Sequence, residues 1–168
     1  MEQTRSKRVH NTPREFDTLE EAISSTRQAA VRLLARREYA TSELIAKLGQ
    51  KGFPSEAIEA VIKYLQEKDL QSDERFAEAF IRSRISRGQG PVRLRVELQQ
   101  LSIDEALVNR HLDSDESVWV ELAQQVCRKR FGASRKMSSA ERLRQQRFLQ
   151  YRGFSFEQIK SALAQMGV

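Results

Sequence analysis

The chain has 168 residues, a formal net charge of +6 and one cysteine, Cys127. A lone cysteine excludes an internal disulfide and a multi-cysteine zinc site, and no apolar run reaches the roughly 18 residues that suggest a membrane span. The polar opening MEQTRSKRVHNTPREFD lacks the apolar stretch of a secretory signal, so the expected location is cytoplasmic, with no membrane partner.

Residues 1–17 are mixed in charge and poor in apolar residues, and they read as a flexible basic tail. From Leu19 onward the apolar spacing is helical, without sustained strand-like alternation, and the expected class is all-α. Asp17 and Thr18 can cap a first helix with Leu19, Ile23, Ala30, Leu33 and Leu34 inward. Thr41 or Ser42 caps a second, with Leu44, Ile45 and Leu48 inward, ending at Gly52. Pro54-Ser55 opens a third, with Ile58, Val61, Ile62 and Leu65 on one side. Ser72-Asp73 opens a fourth with Phe76, Ala77, Phe80, Ile81 and Ile85 buried, which Gly88 and Gly90 end by adopting the left-handed conformation. Pro91 starts a fifth carrying Leu94, Leu98 and Leu101. Asp104 caps the sixth, through Leu107, Val108 and Leu112. Ser114 or Asp115 caps the seventh, with Trp119, Leu122, Ala123, Val126 and Phe131. Ser138-x-x-Glu141 and Ser155-x-x-Gln158 are capping-box patterns for the eighth, with Leu143, Phe148 and Leu149, and the ninth, with Ile159, Ala162, Leu163 and Met166.

These helices repeat. AKLGQKGFPSEAIEAVI (46–62), VELQQLSIDEALVNRHL (96–112) and RFLQYRGFSFEQIKSAL (147–163) superimpose without gaps. Leu48, Leu98 and Leu149 coincide, as do Gly52, Ser102 and Gly153; Phe53, Ile103 and Phe154; Ile58, Val108 and Ile159; Ile62, Leu112 and Leu163. A small helical unit cannot cover its own apolar face, so stacked neighbours complete the core. The expected layout is three tandem three-helix repeats, 18–71, 72–113 and 114–168, forming an elongated, curved array. Ser102 in the glycine position of the middle copy leaves the backbone of that turn open.

The positive charge is placed unevenly. Positions 82–95 carry five arginines and no acid, and 128–152 carry nine Lys or Arg against Glu141 alone. Two such segments point to a polyanion or an acidic protein surface. Arginine suits either, because its planar fork matches phosphate and carboxylate. The candidate contact residues are Arg82, Arg84, Arg87, Arg93, Arg95, Arg128, Lys129, Arg130, Arg135, Lys136, Arg144, Arg147 and Arg152. Glu97 is expected to pair with Arg93 or another arginine, and Tyr151 to pack rather than stack on a base.

Little points to catalysis, a metal or a cofactor. His10 lies in the tail and His111 at an inward or boundary site. Cys127 reads as a buried, inert thiol, although Arg128, Lys129 and Arg130 would activate it if it were exposed. Gly88-Gln89-Gly90 has the look of a phosphate loop, but no strand precedes it.

DERFAEAFIRSR followed by G-x-G-P-x-R-L-x-x-E-L in the middle repeat, and FLQYRGF in the last, resemble the RecX family of bacterial regulators of the RecA recombinase. The resemblance spans roughly residues 27–166 and departs at Leu101-Ser102, where members usually carry a basic residue and glycine. It implies a monomeric non-enzyme, acting in DNA repair and the SOS response. Such a protein would bind the RecA filament on single-stranded DNA and restrain strand exchange, ATP turnover and repressor cleavage. It also implies direct contact with DNA, single- or double-stranded, in some members. Two alternatives remain: a stand-alone DNA-binding module that competes for DNA, and a scaffold for another acidic protein.

Overall fold

The computed structural model describes residues 13–113, 115–132 and 138–166. Among these the chain is all-α. The helices are α1 (Leu19–Leu34), α2 (Thr41–Gln50), α3 (Ser55–Glu67), α4 (Asp73–Ser86), α5 (Pro91–Gln100), α6 (Glu105–Leu112), α7 (Glu116–Phe131), α8 (Ser139–Arg152) and α9 (Phe156–Met166). The chain divides into two compact units, Met1–Asp73 and Glu74–Val168.

In the first unit α3 packs against both α1 and α2, around Leu44, Leu48, Val61 and Leu65. The fully buried residues of α1 are Ala22, Thr26 and Ala30; of the expected stripe, Ile23, Leu33 and Leu34 pack half-buried against the same core, and only Leu19 turns outward, 49% exposed. Small residues one turn apart let a helix approach its neighbour closely, and Thr26 enters the core because its hydroxyl donates to the Ala22 carbonyl at 2.7 Å. Neither Thr41 nor Ser42 caps α2, whose N-cap position is Ala40. The Asp73 carboxylate caps it instead, accepting from the Thr41 backbone N–H at 2.8 Å and its hydroxyl at 3.1 Å. Buried Gln71 braces the arrangement, donating to the Tyr39 carbonyl at 3.1 Å and to Asp73 at 2.9 Å. A carboxylate therefore faces the positive end of α2.

In the second unit α7 packs on α8 and α9, and α5 on α6. Asp104, Asp115, Ser138 and Ser155 cap as the sequence predicts, and Ser114 lies outside the described residues. Trp119 is buried, with its indole N–H donated to the Leu112 carbonyl at 3.3 Å. Leu143 is exposed, while Gln145 is buried in its place and accepts from the Cys127 thiol at 3.3 Å. Burial pushes the Cys127 pKa up, so the adjoining basic run leaves the thiol unactivated.

The repeated window has one physical meaning in all three copies. All the matched leucine, phenylalanine and isoleucine or valine positions are buried. Each first helix closes with an N–H reaching back five residues: Phe53 to Leu48 O at 3.3 Å, Ile103 to Leu98 O at 3.1 Å and Phe154 to Leu149 O at 3.2 Å. This is the Schellman closure, which needs one left-handed residue. Gly52 and Gly153 supply φ of 81° and 90°, and Ser102 adopts 58°. The middle turn thus keeps the common backbone geometry, and serine bears the strain.

The Gly88-Gln89-Gly90-Pro91 break joins the second repeat to the third. The Gly90 N–H donates to the Arg152 carbonyl at 2.9 Å, and the Val92 N–H to the Gly153 carbonyl at 3.0 Å. Of the two glycines expected to close α4, only Gly88 is left-handed (φ 74°); Gly90 is the extended N-cap of α5, with φ −89°. Gly90 is needed for proximity instead. A Cβ there would lie 2.6 Å from both the Gly153 carbonyl carbon and the Phe154 nitrogen. A Cβ on Gly153 would in turn lie 2.8 Å from the Arg93 nitrogen. The loop is no phosphate cradle, because the Gly90 and Val92 N–H groups are already committed to carbonyls.

Gly90→Ala forces two backbones apart and should cost about 3 kcal/mol in urea unfolding. Ser102→Gly should act in the opposite direction, stabilising by about 0.5 kcal/mol as relief of the left-handed strain outweighs added chain entropy.

Candidate cationic cleft

Below the Gly88 turn, the end of α4 meets α7 and α8 around a cleft of about 600 Å³. Its apolar side is formed by Ile85, Leu122, Val126 and Phe148, and its cationic rim by Arg87, Lys129, Arg130 and Arg152. Among the described residues no carboxylate lines it. Helix periodicity explains the mixture. Leu122 and Val126 belong to the inward stripe of α7 but stay half-buried, while Lys129 and Arg130 extend from the exposed last turn of that helix. Basic residues there also complement the negative end of the helix dipole.

Aromatic rings support two of the rim cations, Arg130 and Arg152, and Arg144 of α8. Phe131 and Phe148 meet edge-to-face at 5.2 Å and 89°. The guanidinium carbons of Arg130 and Arg144 each lie 5.7 Å from the Phe131 ring centre, and that of Arg152 lies 5.2 Å from Phe148. Such contacts contribute about 0.5–1 kcal/mol each at exposed sites. Arg152 also donates to the Arg87 carbonyl at 2.8 Å, which fixes the rim to the turn above it.

The other predicted contact residues are distributed differently. Glu97 sits between Arg84 and Arg93, at 3.1 and 2.8 Å, so two guanidinium groups share one carboxylate. That hydrogen bond raises the pKa of Arg93 further. Arg95 is held by Asn109 and by Asp113 at 3.0 Å, and Arg82 lies 3.7 Å from Glu78. Glu97 thus pairs with Arg93 as expected and with Arg84 as well, and the charge of the 82–95 segment is largely neutralised by carboxylates. Only Arg87 of that group enters the cleft. Arg128 donates to Gln124 at 3.3 Å, Arg147 is exposed on α8, and Arg135 and Lys136 lie outside the described residues.

Tyr151 does not pack: it is 76% exposed, with the Arg93 guanidinium 5.8 Å from its ring centre. His111 is half-buried, with Nε2 unpartnered. Among the described residues, no group of three or more His, Cys, Asp or Glu is placed to hold a metal ion, and no helix is long and apolar enough to cross a membrane. The sequence reading missed the apolar side of the cleft, since Leu122, Val126 and Phe148 are indistinguishable by spacing from core residues. It also missed a basic pocket in the first unit, whose signal was the four-residue spacing of Arg32 and Arg36.

Comparison with known proteins places three family domains in order along the chain. The first, second and third three-helix domains of RecX match residues 27–65, 72–112 and 118–163. A protein named Regulatory protein RecX from Halorhodospira halophila is 42% identical over 143 residues, covering 85% of this chain and 89% of the relative. Its namesake from Chromohalobacter salexigens is 40% identical over 141 residues, covering 84% and 92%. The crystal structure of RecX from Lactobacillus salivarius superimposes with a TM-score of 0.75 at 21% identity, over 88% of this chain and 97% of that one. At that identity the superposition speaks for the fold alone.

Removing the shared carboxylate with Glu97→Gln leaves two guanidinium groups facing each other. The expected loss is about 1–2 kcal/mol of unfolding free energy, measured by urea titration.

Proposed function

The chain belongs to the RecX family, and from that premise we propose that it is a regulator of the RecA recombinase with no chemistry of its own. In this reading it docks on the RecA filament assembled on single-stranded DNA and lowers ATP turnover, strand exchange and repressor cleavage. The observation that carries the reading is the second-unit cleft, where Arg87, Lys129, Arg130 and Arg152 surround an apolar wall with no lining carboxylate among the described residues. Unopposed cations provide attraction to an acidic surface, and the apolar wall provides a seat for a side chain that water would otherwise cover. Arg144 and Arg147 extend the cationic set along α8. Arg84, Arg93 and Arg95, which already share acidic partners, contribute less. The docked protein acts by occupying the filament, blocking partner entry and promoting disassembly.

The test is RecA ATP turnover measured with single-stranded DNA in large excess over both proteins. The native chain should still inhibit under that condition. Loss of inhibition there would favour the competing reading, a DNA-binding module that merely withholds DNA. Lys129→Glu/Arg130→Glu and Arg144→Glu/Arg147→Glu should each weaken inhibition at least tenfold, because a hot-spot arginine contributes about 2 kcal/mol. If both variants melt like the native chain and inhibit as well, the cleft is not the contact.

A further inference from the structure

The first unit has a cationic pocket of its own, in a region where no contact residue was expected. Arg14, in the segment before α1, is tied to the turn after α2. Its backbone N–H donates to the Gly52 carbonyl at 2.9 Å and its Nε–H to the Lys51 carbonyl at 2.9 Å. Its guanidinium lies 4.5 Å from the ring centre of Phe53. Facing it are Arg32 of α1 and Arg36 just beyond that helix, with Lys51 from the α2 turn. The four cations surround a space of about 220 Å³, to which Ser25 and Gln28 add neutral hydrogen-bonding groups.

Among the described residues no carboxylate lines this space, and no ion pair holds Arg32 or Arg36. Like charges four residues apart repel on a helix surface. The carbonyl ends of α1 and α2 offset part of the charge, and an anion would offset the rest. The chemistry differs from that of the second-unit cleft. Phe53 is buried and the remaining apolar lining is half-buried Ala29 and Leu33, so the space offers donors rather than a seat for an apolar side chain. Charged and neutral donors around a small polar space suit phosphate oxygens.

We propose that this pocket binds backbone phosphates of single-stranded nucleic acid, with Arg14, Arg32, Arg36 and Lys51 as the contacting cations. Arg14 precedes the matched domain at 27–65, so the site depends on a residue outside the three-helix repeat. The site adds nucleic-acid contact to the proposed function without depending on the second-unit cleft.

The experiment uses the full chain and a fluorescein-labelled oligothymidylate, without recombinase, read by anisotropy across a salt series. Arg32→Ala/Arg36→Ala should flatten the slope of log affinity against log salt by about 1.4, and Arg14→Ala by about 0.7. Lys63→Ala, exposed on α3 and away from the pocket lining, should leave the slope unchanged. Thermal melting confirms that each variant is folded. Three results overturn the proposal: an unchanged slope in folded Arg32→Ala/Arg36→Ala, no binding by the native chain at about 50 mM salt, or loss of polyglutamate binding in that variant with oligonucleotide binding intact. The last outcome assigns the pocket to an acidic protein. None of them touches the ATP-turnover reading, which reports on the filament through other residues.

Discussion

The second unit depends on two backbones approaching so closely that neither tolerates a side chain. The Gly90 and Val92 N–H groups meet the Arg152 and Gly153 carbonyls, and glycine stands on both sides of the seam. Main-chain hydrogen bonds of this kind fix position along the chain as well as distance, because donors and acceptors recur at set intervals. The seam sets the start of α5 against the end of α8. Arg152 strengthens it by donating to the Arg87 carbonyl, which links the register of the turn to the wall of the cleft. Charge in this molecule is thus positioned by uncharged atoms.

Electrostatic neutralisation decides which basic residues remain available. The 82–95 segment has no acid of its own, yet Glu97 takes two of its arginines and Asp113 another. In the 128–152 segment, Arg130, Arg144 and Arg152 rest instead on phenylalanine rings. A ring attracts a guanidinium through its quadrupole without cancelling its charge. Carboxylate pairing and aromatic support therefore have opposite consequences: the first removes a cation from the long-range field, and the second holds it in place while leaving its charge exposed.

Much of the fold was legible because its signals are local. Helix caps such as Asp104 and the Ser138–Glu141 pair act within one turn, and the repeated window states its own closure three times. Features set by distant residues were not legible. The cap of α2 comes from Asp73, 32 residues beyond Thr41, and no pattern near Thr41 announces it. The expected stripe of α1 lacked Ala22 and Thr26, which carry little hydrophobic signal, although small size suits them to close helix packing. Glu97 was visible as an arginine partner, but its sharing between Arg84 and Arg93 requires α4 and α5 to be placed first. Gly90 departs from the left-handed closure expected of it: its φ is −89°, and it serves as a gap between two backbones.

The phenylalanine-supported arginines also bear on the entropy of recognition. A free arginine samples many rotamers, and freezing it upon association costs about 0.5–1.5 kcal/mol. Arg130, Arg144 and Arg152 have surrendered part of that freedom during folding, with Phe131 and Phe148 as their resting places. An approaching partner meets a charge constellation that is already preorganised, so more of each new contact survives as net affinity.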